Sequence, residues 1–215
     1  MTITIREPGS ALTHFAGMVL ATVASVPLLI CAALRGGTVA LISMTVFMTS
    51  MVLLYTASTL YHSVNLTGKP LKLFKKIDHM MIFVLIAGTY TPVCLLVLEP
   101  PTGYVLLAVI WGLAAVGILF KALWVTCPKW VSSIIYIAMG WACLSVFVPL
   151  IHALPHGAFL WLLTGGIIYT IGGVIYALKL PLFNSRHKNF GSHEIFHLFV
   201  LGGSICHFIS MYQIL

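Results

Sequence analysis

Three histidines, His62, His193 and His197, lie at the ends of hydrophobic segments, with Ser58, Asp78 and Glu194 beside them in the chain. Asp78 and Glu194 are two of only four acidic residues in 215. A polar side chain without a partner costs roughly several kcal/mol in hydrocarbon, so a cluster of them in an apolar chain needs a reason. His193 and His197 are four residues apart, so they share one face of a helix and both rings can reach one ion. Ser58 and His62 repeat that spacing. Three imidazole nitrogens with one position left open form the donor set of a catalytic zinc, whereas a structural site is closed by four ligands.

Asp78 then has two roles open to it. It ligates the ion directly, or it holds and deprotonates a water at the open position, whose pKa zinc can bring to about 7. Ser58, one turn from His62, is placed to hydrogen-bond the water, an oxyanion or Asp78. Glu194 lies about 100° round the helix from His193 and is expected to face a neighbouring helix or a basic loop.

The elements that must position these groups are membrane helices. The chain is 60% hydrophobic and 7% charged, with a mean hydropathy of +1.09, which excludes a water-soluble globule. A spanning helix needs about 20 largely apolar residues, and seven such stretches are expected, at 11–34, 38–62, 77–98, 103–125, 131–151, 158–180 and 193–214. The connections are short, so residues 1–215 are expected to form one all-α, seven-helix transmembrane domain. The first apolar run exceeds the roughly 7–15 residues of a signal-peptide core and has no small-residue cleavage pattern, so it is expected to be retained. The five cysteines are odd in number and scattered, without a CxxC, and read as small buried side chains rather than disulfides or ligands.

The net charge of +7 is not a nucleic-acid signature. With the N-terminus cytoplasmic, ten of the eleven basic residues fall on the inner side: Arg6, Lys69, Lys72, Lys75, Lys76, Lys121, Lys129, Lys179, Arg186 and Lys188. Only Arg35 is left outside. That is the positive-inside pattern, which predicts a cytoplasmic N-terminus, an external C-terminus and basic loops suited to anionic lipid head groups. Under this topology the end of the second span and the starts of the third and seventh meet at the inner leaflet. These carry Ser58 and His62, then Asp78 and His79, then His193, Glu194 and His197.

Other features read as structure. Pro27, Pro92 and Pro149 are expected to kink their helices, which a bundle tolerates. Gly165, Gly166, Gly172 and Gly173 are expected to form one smooth face for close helix contact. Pro181 is expected to end the sixth span and Ser192 to cap the seventh. His207, ten residues and about 15 Å beyond His197, is expected to be a hydrogen-bonded packing residue. His14 and His79 are near the right leaflet but suited to face head groups, His152 and His156 read as solvated outer-loop residues, and His187 as loop charge.

At these residues the chain resembles hemolysin III-type members of the progestin and adipoQ receptor family, which includes the adiponectin receptors and is distantly similar to alkaline ceramidases. The matching blocks are Ala57-Ser58-Thr59-Leu60-Tyr61-His62, Lys76-Ile77-Asp78-His79 with Ala87-Gly88-Thr89-Tyr90-Thr91-Pro92, and His193-Glu194-Ile195-Phe196-His197 running on to His207-Phe208. The resemblance implies a heptahelical fold in a bacterial inner membrane, with zinc near the cytoplasmic leaflet. His62, His193 and His197 would be the ligands, Asp78 the water-holding carboxylate and Ser58 its partner. It also implies hydrolysis of lipid amides such as ceramides. The start of the chain, Arg6-Glu7-Pro8-Gly9-Ser10, departs from the acidic, asparagine-containing stretch that precedes the first helix in bacterial members, so no role is carried over to His14.

The leading expectation is therefore a zinc-dependent hydrolase of lipid amide or ester bonds whose substrate enters from the bilayer. The alternative is a non-enzymatic homeostasis protein, channel or transporter in which zinc clamps the second and seventh spans and Asp78 relays ions or protons. A lytic or receptor role ranks last: the sequence has no export signal, amphipathic pore-forming segment or extracellular hormone-binding region.

Overall fold

In the computed structural model, residues 5–178 and 190–215 are described. The expectations at Lys179, Pro181, Arg186, His187 and Lys188 lie outside them. The described residues are all helical or connecting: α1 Pro8–Cys31, α2 Gly37–Ser63, α3 Gly68–Leu96, α4 Thr102–Leu123, α5 Lys129–Gly140, α6 Phe147–Ala153, α7 His156–Leu178 and α8 Ser192–Ile214. Among the described residues six stretches are long and apolar enough to cross a membrane, judged by length and composition. Large apolar side chains point away from the protein along them; Leu12 is 68% exposed and Val116 66%.

The spans differ in detail from those expected. The first two form one continuous 56-residue helical stretch, Pro8–Ser63, with a π-helical segment at Ala32–Gly36. Straight, it would be about 84 Å long, nearly three times the hydrocarbon thickness of about 30 Å. It doubles back instead. Gly37, at φ 67°, reverses the chain in a conformation that disfavours a Cβ. The N–H of Glu7 then donates to the carbonyl of His62 at 3.0 Å. The start of α1 thereby lies against the end of α2.

Helix α3 begins nine residues before the expected 77, at Gly68, so Lys69, Lys72, Lys75 and Lys76 stand on its first turns rather than in a loop. Pro70 does not prevent this, because a first-turn proline forfeits an N–H that has no helical partner anyway. The fifth expected span is interrupted by a 3₁₀ segment, Trp141–Val146, between α5 and α6. Pro149 cannot bond the carbonyl of Ser145 and its ring crowds that turn. The Tyr90 hydroxyl from α3 fastens the break, donating to the Gly140 carbonyl at 2.6 Å and accepting from the Cys143 N–H at 2.8 Å.

The paired glycines of α7 do not form one face. A Cβ at Gly165 would stand 2.3 Å from the His207 ring and 3.1 Å from the Gly203 carbonyl, and one at Gly172 would meet Phe199; both therefore face α8. Gly173 instead faces Ile137 of α5, 3.2 Å from its Cδ1, and Gly166 faces Trp141. Consecutive positions on a helix lie about 100° apart, so each pair serves two seams. In lipid, helices gain little from excluding apolar surface, and close packing of this kind holds them together. Gly165→Ala is expected to force α7 and α8 apart and to cost about 1–3 kcal/mol, read as a lowered thermal midpoint of the purified protein.

Lys121, expected at the cytoplasmic end of the fourth span, is 1% exposed. It lies in the last turn of α4, where its ammonium donates to Ser132 Oγ at 2.5 Å and to Cys127 Sγ at 3.1 Å. Ser192 is the first residue of α8, not its cap; the cap is Gly191, whose N–H donates to Glu194 Oε2 at 2.8 Å.

Candidate metal centre

The end of α2 and the start of α8 meet beside the start of α1. His62 is in the last turn of α2, while His193 and His197 occupy successive turns of α8. One ring nitrogen from each lies within 4.8 Å of the other two. The Nε2 atoms of His62 and His193 are 3.3 Å apart. Two nitrogens bound tetrahedrally to zinc at about 2.0–2.1 Å stand about 3.3 Å from each other, so this pair has the spacing that a shared ion requires.

The far sides of the rings are held by other groups. The Glu7 carboxylate contacts His62 Nδ1. His197 Nδ1 lies 3.1 Å from Thr13 Oγ1 and 3.3 Å from the Ser10 carbonyl. His193 is backed by the Tyr176 ring, 5.5 Å away, over which Lys129 sits at 4.0 Å. The Glu7 carboxyl is pulled down to about 2, chiefly by its hydrogen bond to the His62 ring and further by the charge of Arg6, so it is ionised at any physiological pH.

Asp78 and Ser58 line one cavity together with His193 and His197. Asp78 is buried, with one carboxylate oxygen 3.5 Å from His79 Nδ1. Ser58 Oγ is buried and has no hydrogen-bond partner among the described residues. The cavity measures about 210 Å³ and its wall follows α3 from Asp78 to Val93, about 22 Å at 1.5 Å per residue. Ile82, Leu85, Ile86 and Val93 make that wall apolar. His14, Ser58, Asp78, His79, His193 and His197 border the same cavity beside that apolar wall.

Two groups belong to this centre that the spacing in the sequence does not reveal. His14 is buried and stacks on His197, ring centroids 3.6 Å apart and planes 9° apart. Neither of its ring nitrogens has a partner among the described residues. Facing head groups was the wrong expectation, because the face of α1 that carries His14 packs inward on α8. Glu7 is the other; its place beside His62 depends on the hairpin reversal at Gly37. Glu194 faces a neighbour, accepting from Ser10 Oγ at 2.5 Å. His207 donates from Nε2 to the Leu162 carbonyl at 3.2 Å, apart from the cluster. His152 and His156 are exposed.

The family model described as "Haemolysin-III related" matches residues 3–208. The chain is 42% identical over 199 residues to Hemolysin-3 of Bacillus cereus, covering 93% of this chain and 87% of that protein. It is 41% identical over 207 residues to the Hemolysin-3 homolog of Bacillus subtilis (strain 168), covering 95% and 92%. A more distant likeness, 26% over 168 residues, is to the adiponectin receptor protein of Drosophila melanogaster, covering 67% of this chain and 37% of that one. A nearly full-length match, together with stretch after stretch of membrane-length apolar helix, establishes that the chain belongs to the haemolysin III family of integral membrane proteins, related to the adiponectin receptors.

Proposed function

We propose that the protein is a zinc-dependent hydrolase of lipid amide or ester bonds, working from a single seven-span domain at the cytoplasmic leaflet of a bacterial inner membrane. The observation that carries the reading is the convergence of three histidine nitrogens from α2 and α8, two of them from His193 and His197, which line a largely apolar cavity together with Asp78 and Ser58. Seven crossings are supported by the hairpin of α1 and α2, whose arms of 24 and 27 residues each exceed membrane thickness. The inward N-terminus is supported by the basic residues on the first turns of α3. The bacterial membrane is supported by the Bacillus relatives.

In this reading His62, His193 and His197 would hold the ion. Zinc bound by three imidazoles supplies Lewis-acid polarisation of a carbonyl and activates water near neutral pH. The chain's own groups do the rest. The apolar wall from Ile82 to Val93 takes up an acyl chain and aims its carbonyl at Asp78 and Ser58. Asp78 accepts the proton of the attacking water and returns it to the leaving nitrogen or oxygen as the acyl bond breaks, giving a fatty acid and an amine or alcohol. Ser58, with no internal partner to compete, donates a hydrogen bond to the oxygen on which charge develops.

The test is fatty-acid release from a panel of N-acyl and O-acyl lipids by the zinc-loaded protein in lipid nanodiscs. At least one lipid class is expected to be cleaved, with activity lost on chelation and restored by zinc. Absence of cleavage across the panel, together with a lower thermal midpoint on chelation, would instead make zinc a structural clamp between α2 and α8.

A further inference from the structure

Helix α1 offers no nitrogen to the three-histidine cluster, yet both elements that do offer one rest on the same side of it. Glu7, Ser10, Thr13, His14 and Gly17 recur at intervals of three and four and therefore form one stripe along its axis. Glu7 holds the end of α2 twice, through its N–H to the His62 carbonyl and through its carboxylate to the His62 ring. Ser10 holds α8 through Glu194. Thr13 reaches the ring of His197, and His14 lies flat against it. Gly17 lets the helices close: a Cβ there would stand 2.7 Å from Leu201 Cδ2.

The chemistry of these contacts fixes protons. A carboxylate can only accept, so the hydrogen shared by Glu7 and a neutral His62 belongs to Nδ1, and the His62 lone pair is left on Nε2. Thr13 spends its hydroxyl proton on the Ser10 and Gly9 carbonyls, at 2.9 and 3.1 Å. Thr13 Oγ1 and the Ser10 carbonyl are therefore both acceptors for His197 Nδ1–H, which again leaves the lone pair on Nε2. Two rings from two helices are thus held in the same tautomer by one stripe of α1, with the free nitrogen of His62 turned toward His193.

We infer that Glu7 and Thr13 are positioning residues of the metal centre, and that α1 sets the affinity of a site to which it gives no ligand. The inference rests on the zinc reading of His62, His193 and His197. Groups that orient a ligating histidine through its second nitrogen are worth about 10- to 100-fold in metal affinity. Glu7→Ala removes an ionised acceptor outright and belongs at the upper end of that range. Glu7→Gln keeps a neutral carbonyl acceptor and belongs at the lower end. Thr13→Val leaves the Ser10 carbonyl as acceptor, so its effect is smaller than that of Glu7→Gln.

The experiment is zinc titration of the full chain in detergent against a chromophoric chelator, for the parent protein and these three variants. The thermal midpoint of each metal-free form and the visible spectrum of each cobalt(II) form are recorded alongside. Expected are the affinity order parent, Thr13→Val, Glu7→Gln, Glu7→Ala, metal-free midpoints lowered by less than the loss in zinc affinity, and an altered cobalt spectrum in Glu7→Ala. Zinc affinity of Glu7→Ala within twofold of the parent overturns the inference. So does an affinity loss matched by an equal destabilisation of the metal-free form with the cobalt spectrum unchanged, which would mean that Glu7 only holds the fold. A folded parent protein that takes up no zinc overturns the underlying metal reading, whereas a parent that binds beside an unaffected Glu7→Ala overturns the role of α1 alone.

Discussion

His62→Ala is expected to weaken zinc binding by about 100- to 1,000-fold. Apparent zinc-binding free energies of about 10–16 kcal/mol are shared among three or four protein ligands, so one ligand is worth about 3–4 kcal/mol, at 1.4 kcal/mol per tenfold. His62 is the sole contribution of α2 to the cluster, whereas His193 and His197 come from one helix and remain together without it. Its loss therefore also breaks the link between α2 and α8, and chelation should shift the thermal midpoint of the variant less than that of the parent. Metal content after dialysis and the difference in midpoint with and without chelator are the measurements. Full zinc retention by His62→Ala would remove that residue from the ligand set.

Asp78→Asn is expected to keep the metal and lose the chemistry. Asparagine has the shape of aspartate but cannot take up a proton, and loss of a general base costs about 10²- to 10⁴-fold in rate. Asp78 is buried on the cavity wall with His79 at 3.5 Å, so the substitution leaves no new void. Turnover should fall through kcat with KM nearly unchanged, since the acyl chain binds along Ile82 to Val93 and not at the carboxylate. Paired zinc analysis and fatty-acid release decide it. A variant that loses its zinc would make Asp78 a ligand, the other role its position allows.

The meeting of His62 with His193 and His197 is legible in the sequence, because an i, i+4 pair declares a shared face and the expected alternation of spans brings both helix ends to one side. The break between the first two spans near Arg35 is legible too, but the register in which α1 lies against α2 is not. Gly37 at positive φ and the Glu7–His62 backbone bond set that register. Glu7 stays hidden for the same reason: its partner is 55 residues away across that reversal.

The burial of Lys121 is equally unreadable. A lysine near a helix end looks like a head-group contact until Ser132 and Cys127 are brought over it. The α7 glycines were legible as packing residues, but not as two seams, because which neighbour each meets depends on where α5 and α8 stand. The break between α5 and α6 needed Tyr90 as well as Pro149, and a hydroxyl arriving from 50 residues away leaves no local mark.

The most direct measurement is zinc K-edge X-ray absorption on the purified, folded protein. One tightly held zinc is expected, with three imidazole nitrogens at about 2.0–2.1 Å and one further light atom. A folded protein that holds no zinc, or an ion with a thiolate neighbour at about 2.3 Å, would contradict a centre built from His62, His193 and His197.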